Sequence, residues 1–197
     1  MGTMKRIVER QSIPPQEFFA LSVDQYHQMI TAGVFADDDR VELLEGHLVK
    51  KMSNNPPHRF VVRRVHDELS RIVTTGWHVQ KDDPITLEDS EPEPDVSVIR
   101  GPLDAYADRH PNGGEVEIVV EVSNTSLLRD RTVKLSIYAR AGIASYVILI
   151  LESKTAEVYT KPQDGTYAKK TVLSGRQSLP VVLGGKKVGS VKLSDVF

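Results

Sequence analysis

VEIVVEVSNTSLLRDRTVKLSIYARAGIASYVILIL, residues 116–151, is the stretch that decides the fold class. Val116–Val122 is a β-branched run of the kind that forms a buried strand. From Leu127 to Ala141 the period becomes helical, with Leu128, Leu135, Tyr138 and Ala139 apolar and Gly142 as terminator. Tyr146–Leu151 returns to a strand. A helix joining two such strands permits a right-handed parallel crossover. Upstream, Pro94–Ile99 (PDVSVI) is another buried-strand signal, separated from Val116 by a polar, Gly-rich loop holding Arg109, His110 and Pro111. Trp77–Leu87 suits a strand in which Pro84 implies an edge or a bulge. Pro56-Pro57 opens a long amphipathic helix with Phe60, Val61, Val65, Leu69, Ile72 and Val73 in one stripe and Gly76 at its end.

Nearer the N-terminus, Val41–Met52 breaks at Glu45-Gly46 into two short strands, and Ser22–Gly33 is a capped helix with Val23, Tyr26, Met29 and Ile30 at helical spacing. Downstream, Val158–Thr160 and Tyr167–Leu173 form a hairpin across Gln163-Asp164-Gly165, and the tail turns at Gly184-Gly185. No repeat and no biased segment interrupts the order. The chain is expected to be α/β (α+β), a mixed β-sheet with helices packed on it and additional β-hairpins.

The 197 residues suit one domain, 1–197, large enough for a core without covalent staples. The chain has no cysteine, which excludes a disulfide framework, a thiolate zinc site and a cysteine nucleophile. Its longest apolar stretch, Tyr146–Leu151, is far short of the roughly 20 residues of a membrane span. No apolar segment follows the charged start MGTMKRIVERQ, and Arg6 stands where a myristoylation signal has Ser or Thr. A cytoplasmic location is expected. With 25 basic and 27 acidic residues the chain lacks the positive field of a DNA-packaging protein. DNA chemistry stays open, because a metal ion supplies charge locally.

Most familiar sites are missing. There is no dinucleotide fingerprint and no nucleophile elbow, and Pro180 replaces the first glycine that a phosphate loop ending at Gly185-Lys186 requires. The six histidines never fall at i, i+4, and His58 and His66 read as capping or surface residues. Two carboxylates remain, Asp95 after Pro94 and Glu121 inside Val119-Val120-Glu121-Val122. An ionised carboxylate in such a setting costs several kcal/mol unless compensated. Strand alternation puts Glu121 on one face with Val119, Ser123 and Glu117. A carboxylate on each of two strand ends can hold Mg²⁺, which takes one or two carboxylates and keeps several waters. The competing reading has Asp95 ending a turn and Glu121 salt-bridged to a neighbouring helix. The following helix carries Arg129 and Arg131, read as a solvated face, and Lys134, which borders the apolar stripe and can reach back over the strand end.

The order Pro94-Asp95, Glu121-Val122-Ser123, then Arg129-Asp130-Arg131 with Lys134-Leu135, Tyr138-Ala139-Arg140-Ala141-Gly142-Ile143 and Tyr146 resembles the Uma-two family of bacterial restriction-endonuclease-like proteins with the PD-(D/E)xK nuclease fold. Arg40-Val41-Glu42-Leu43-Leu44-Glu45-Gly46-His47, Met52-Ser53 and Pro57-His58 resemble its opening motif, and the likeness runs from about Phe18 to the C-terminus, leaving 1–17 as an extension. The resemblance implies a restriction-endonuclease-like sheet core and a Mg²⁺-dependent phosphodiesterase site, with Mn²⁺ as a possible substitute. It matches Asp95 and Glu121 to the two acids and Glu42 to the upstream acid that completes the metal shell, which makes all three the expected metal ligands. Ser123 stands where the wider superfamily has lysine, and Lys134 is the matching position; Gln80 and Lys81 are weaker candidates for the site.

Two readings follow. In one, the chain is an endonuclease cutting DNA with Asp95, Glu121, Glu42 and Lys134, a homodimer being suited to cutting both strands. In the other, it is a nuclease-fold module, weak or inactive in cleavage, that binds nucleic acid or a protein partner. Hydrolysis of a small phosphoester would use the same site. Arg59, Arg63 and Arg64, with Arg71 further along, are read as an exposed helix face rather than a DNA contact.

Overall fold

The computed structural model describes residues 18–36, 39–51 and 55–197. Residues 1–17 and the Met52-Ser53 part of the opening motif lie outside them. Helix α1 (Val23–Thr31) starts at Ser22, whose hydroxyl and backbone exchange hydrogen bonds with Gln25 in a capping box. Strands β1 (Val41–Leu44) and β2 (His47–Lys50) form a hairpin of their own. Its turn requires Gly46: φ is +74°, and a Cβ there would stand 2.7 Å from that of Ala20.

Helix α2 (Pro56–Ile72) has Asn55 as cap and two prolines in its first turn, where no N–H is needed. It ends at Ile72, before Gly76, because Val73 is already extended. The six-stranded sheet runs β3 (Trp77–Lys81), β4 (Val96–Arg100), β5 (Val116–Ser123), β6 (Ser145–Ile150), β7 (Thr155–Gln163), β8 (Thr166–Ser174), in that spatial order. Every pairing is antiparallel except β5–β6, which is parallel across the intervening helix. The expected mixed sheet is therefore present. β3 is an edge strand and stops at Lys81, short of Pro84. Strands β9 (Ser178–Leu183) and β10 (Lys186–Lys192) form a separate hairpin.

The helix between β5 and β6, α3, is continuous over 127–140 but not uniform. An α-helical turn Leu127–Arg129 leads into the π-helical turn Asp130–Lys134, followed by α-helical Leu135–Arg140. The π turn puts Asp130 and Lys134 on the buried side and leaves Leu128, expected in the apolar stripe, largely exposed. Phe60 is likewise exposed on α2, and Val62 takes the buried position beside Val61 and Val65.

The sheet buries a core on each face. One joins α2, the β9–β10 hairpin and the C-terminal Leu193 and Val196 to Val96, Val98, Val120 and Val147. The other joins α3 to Val119, Ile148 and the tyrosines 138, 146, 159 and 167. These four rings contact one another at centroid separations of 5.0–6.3 Å, and each hydroxyl finds an acceptor. Between β4 and β5 the register slips at Val98/Ile99, so that Glu117 is passed over in the pairing. The expected alternation thus holds from Ile118 onward but not for Glu117, which accepts a hydrogen bond from the Gly184 amide in the β9–β10 turn at 3.1 Å.

Candidate active site

Antiparallel pairing of Val96 with Val120 sets Asp95 and Glu121 opposite each other at one end of β4 and β5. The Val122 amide donates to Asp95 Oδ2 at 2.7 Å. Glu42 arrives from β1. Its hairpin is held there by the Glu91 amide bonding the Leu43 carbonyl at 2.7 Å and the Glu93 amide bonding Glu42 Oε2 at 3.2 Å. Helix α3 then covers the end of the sheet. Lys134 Nζ lies 2.9 Å from Glu121 Oε1 and 3.2 Å from Glu42 Oε2, and the Tyr138 hydroxyl donates to the same Glu121 oxygen at 2.8 Å. Lys134 and Tyr138 are i and i+4 on the helix, so one face delivers both. Asp95, Glu121, Glu42 and Lys134 line one cleft of about 50 Å³.

Several neighbours take roles that the sequence does not assign them. His58, in the first turn of α2, is buried rather than at the surface; its Nε2 is 3.3 Å from Asp95 Oδ2, and its Nδ1 is buried without a partner among the described residues. Asp130 is buried and accepts hydrogen bonds from the hydroxyls of Ser123 and Ser126. Ser123 therefore serves Asp130. Arg129 is not a solvated face either: it reaches the Lys50 carbonyl at 3.4 Å and stands 3.7 Å from Glu42 Oε1. Arg131 is drawn away to Glu157, which it grips through Nε and a terminal nitrogen at 3.0 and 2.8 Å. Gln80 and Lys81 do not line the acid cleft.

Five buried or half-buried carboxylates, Glu42, Glu93, Asp95, Glu121 and Asp130, thus line the cleft with the buried Lys134 ammonium, half-buried Lys51 and Arg129. Burial pushes the Glu121 carboxyl up, and the Asp95, Asp130 and Glu42 charges push it further, against the opposing pull of Lys134. Asp130 is raised mainly by burial, with Lys134 and the two serine hydroxyls opposing. For Lys134 burial favours the neutral amine, but the attraction of Glu121, Glu42 and Asp130 outweighs it and holds the ammonium charged.

The donor set fits a hard divalent cation through two carboxylates. Asp95 Oδ1 and Glu121 Oε2 have no hydrogen-bond partner among the described residues, whereas their other oxygens are held. Among the described residues no group of three or more His, Asp and Glu stands at metal-holding separation, consistent with Glu42 being engaged by Lys134 and the Glu93 amide. Mg²⁺ needs no third carboxylate, since it retains waters.

The fold is a mixed α+β sheet clasped by helices, with acids gathered at one strand end. The chain belongs to the Uma2 family, described as putative restriction endonuclease, whose model matches residues 23–187. The fold is also similar to the crystal structure of a putative nuclease belonging to DUF820 from Anabaena variabilis ATCC 29413. The TM-score is 0.66 at 15% identity, covering 90% of this chain and 97% of that one. No curated protein matches.

Proposed function

We propose that this protein is a Mg²⁺-dependent endonuclease hydrolysing DNA phosphodiester bonds at the cleft between β1, β4, β5 and α3. The observation that carries this reading is the pairing of Asp95 and Glu121, each with one oxygen fixed and one free, beside a buried lysine. Asp95 and Glu121 would hold the cation, with Glu42 acting through water. A bound Mg²⁺ lowers the pKa of its water and screens the charge of a phosphate. The remaining work falls to the chain. The Val122 amide and His58 fix the orientation of Asp95. Tyr138 and Lys134 fix Glu121, and the Lys134 ammonium, kept charged by its acids, stabilises negative charge developing on the phosphate oxygens.

Nicking of supercoiled plasmid tests the reading. Wild type should nick with Mg²⁺ or Mn²⁺ and stop with EDTA, and Asp95→Asn should lower the rate at least 100-fold. Equal rates for wild type and Asp95→Asn would sink it. The second reading, a nuclease-fold module without cleavage, is favoured by one feature: Lys134 already neutralises part of the acid pair. It predicts no Mg²⁺ binding at millimolar concentration by calorimetry, together with a retained shift of DNA.

A further inference from the structure

Beside the acid cleft lies a second, larger cavity of about 520 Å³, and the two share Lys51, His58 and Glu93 as common walls. Its lining is basic: Arg40, Lys51, Arg59, Arg63 and Lys81, against Asp82 and Glu93. These cations come from four separated parts of a chain whose formal net charge is −2, so overall composition does not account for their meeting. Arg59 and Arg63 are i and i+4 on α2, exposed on one face, and neither forms an ion pair among the described residues. Arg71, further along the same helix, is instead paired with Glu68, and Arg64 donates to the Asp195 carbonyl at 2.8 Å. The helix face read from sequence as merely solvated thus divides: Arg64 ties α2 to the C-terminal turn, Arg71 is paired at the surface, and Arg59 and Arg63 line the cavity. Where the cavities join, Lys51 is ion-paired to Glu93, whose amide also holds Glu42.

We infer that this cavity is the seat of the nucleic-acid backbone flanking the cut. Arg59 and Arg63, with Arg40 and Lys81 beside them, hold successive phosphates while the neighbouring one enters the acid cleft past Lys51. Guanidinium groups suit this role because their fork matches phosphate oxygens. The inference rests on the nuclease reading for what is cut, but not for what is held.

The test uses fluorescence anisotropy of a labelled 20-base-pair DNA duplex in EDTA, where nothing is cleaved, with an RNA duplex of the same sequence as a second arm. Binding of the wild-type chain should weaken with salt. Arg59→Ala/Arg63→Ala should bind at least tenfold more weakly and reduce the salt slope by about two contacts. Arg71→Ala, outside the cavity, should match wild type, and unchanged thermal melting of the double variant shows that it is folded. Which duplex responds tells which backbone is held. No binding of either duplex by wild type, or equal loss in Arg71→Ala and the double variant, overturns the inference. Wild type that nicks plasmid while the double variant binds normally leaves the nuclease reading standing and removes the groove. Wild type that fails to nick while the double variant loses binding does the reverse.

Discussion

At the scale of single residues, the site is organised around Lys134. An ammonium buried between two carboxylates is stable only while both remain, because losing one partner strands the other charges in a poorly solvated place. Lys134→Met should therefore lower unfolding free energy by about 3 kcal/mol, measured by urea titration without divalent ions. Adding Glu121→Gln should restore part of that loss, since the stranded carboxylate is removed. Strict additivity of the two changes would contradict the coupling. Asp95 and Glu121 are legible in the sequence because charged residues inside β-branched runs need compensation, and Lys134 because it borders an apolar stripe. His58, Asp130 and Tyr138 stand in the motifs that carry the family resemblance, but their roles are not legible, for a definite reason. Each occupies a position that ordinary structure explains equally well: a helix start, a charged helical pair, a core aromatic. Only the tertiary approach of α2 and α3 to the strand ends gives them a second task.

At the scale of elements, α3 is fixed to the sheet through Glu157 on β7. Arg131, Lys170 and Tyr159 all bond this buried carboxylate, at 2.7–3.0 Å. Although burial raises the Glu157 carboxyl, those hydrogen bonds and charges outweigh it and bring it down to about 2 from an ordinary 4.5. A carboxylate depressed on folding stabilises the protein above its unfolded value. The contribution, on the order of 2 kcal/mol after allowing for the half-exposed cations, is lost as pH falls from about 4.5 toward 2. Glu157→Gln should flatten the acid limb of a stability–pH curve over that interval, read by thermal melting. An unchanged acid limb would show that the cluster contributes little. The strands themselves are legible as apolar runs, and the three hairpin turns as Glu45-Gly46, Asp164-Gly165 and Gly184-Gly185. The π turn in α3 and the register slip at Glu117 are not, because each inserts a residue into a period that the sequence alone continues smoothly. That insertion is why Leu128 faces outward where a regular helix would bury it.

At the scale of the molecule, the sheet carries apolar layers on both faces, and the cores share the same strands. Leu69, on the inner face of α2, and Ile148, on β6 beneath α3, are both fully buried. Leu69→Ala and Ile148→Ala should each remove about 3 kcal/mol and shift one common urea transition. Two separate transitions would show that the faces unfold independently. The sheet orders the site as well, but cannot complete it. Two acids stand on neighbouring strands, a third belongs to a hairpin outside the sheet, and the lysine rides on the crossover helix. Gathering them requires the β1 hairpin, β4, β5 and α3 all to be docked. A half-made polypeptide, or one recovering from denaturant, holds no such constellation, so any hydrolytic power this cluster confers is withheld until maturation is nearly finished. Regain of the proposed plasmid nicking during renaturation should then lag behind regain of strand signal in circular dichroism, since the strands form before the four elements are all docked.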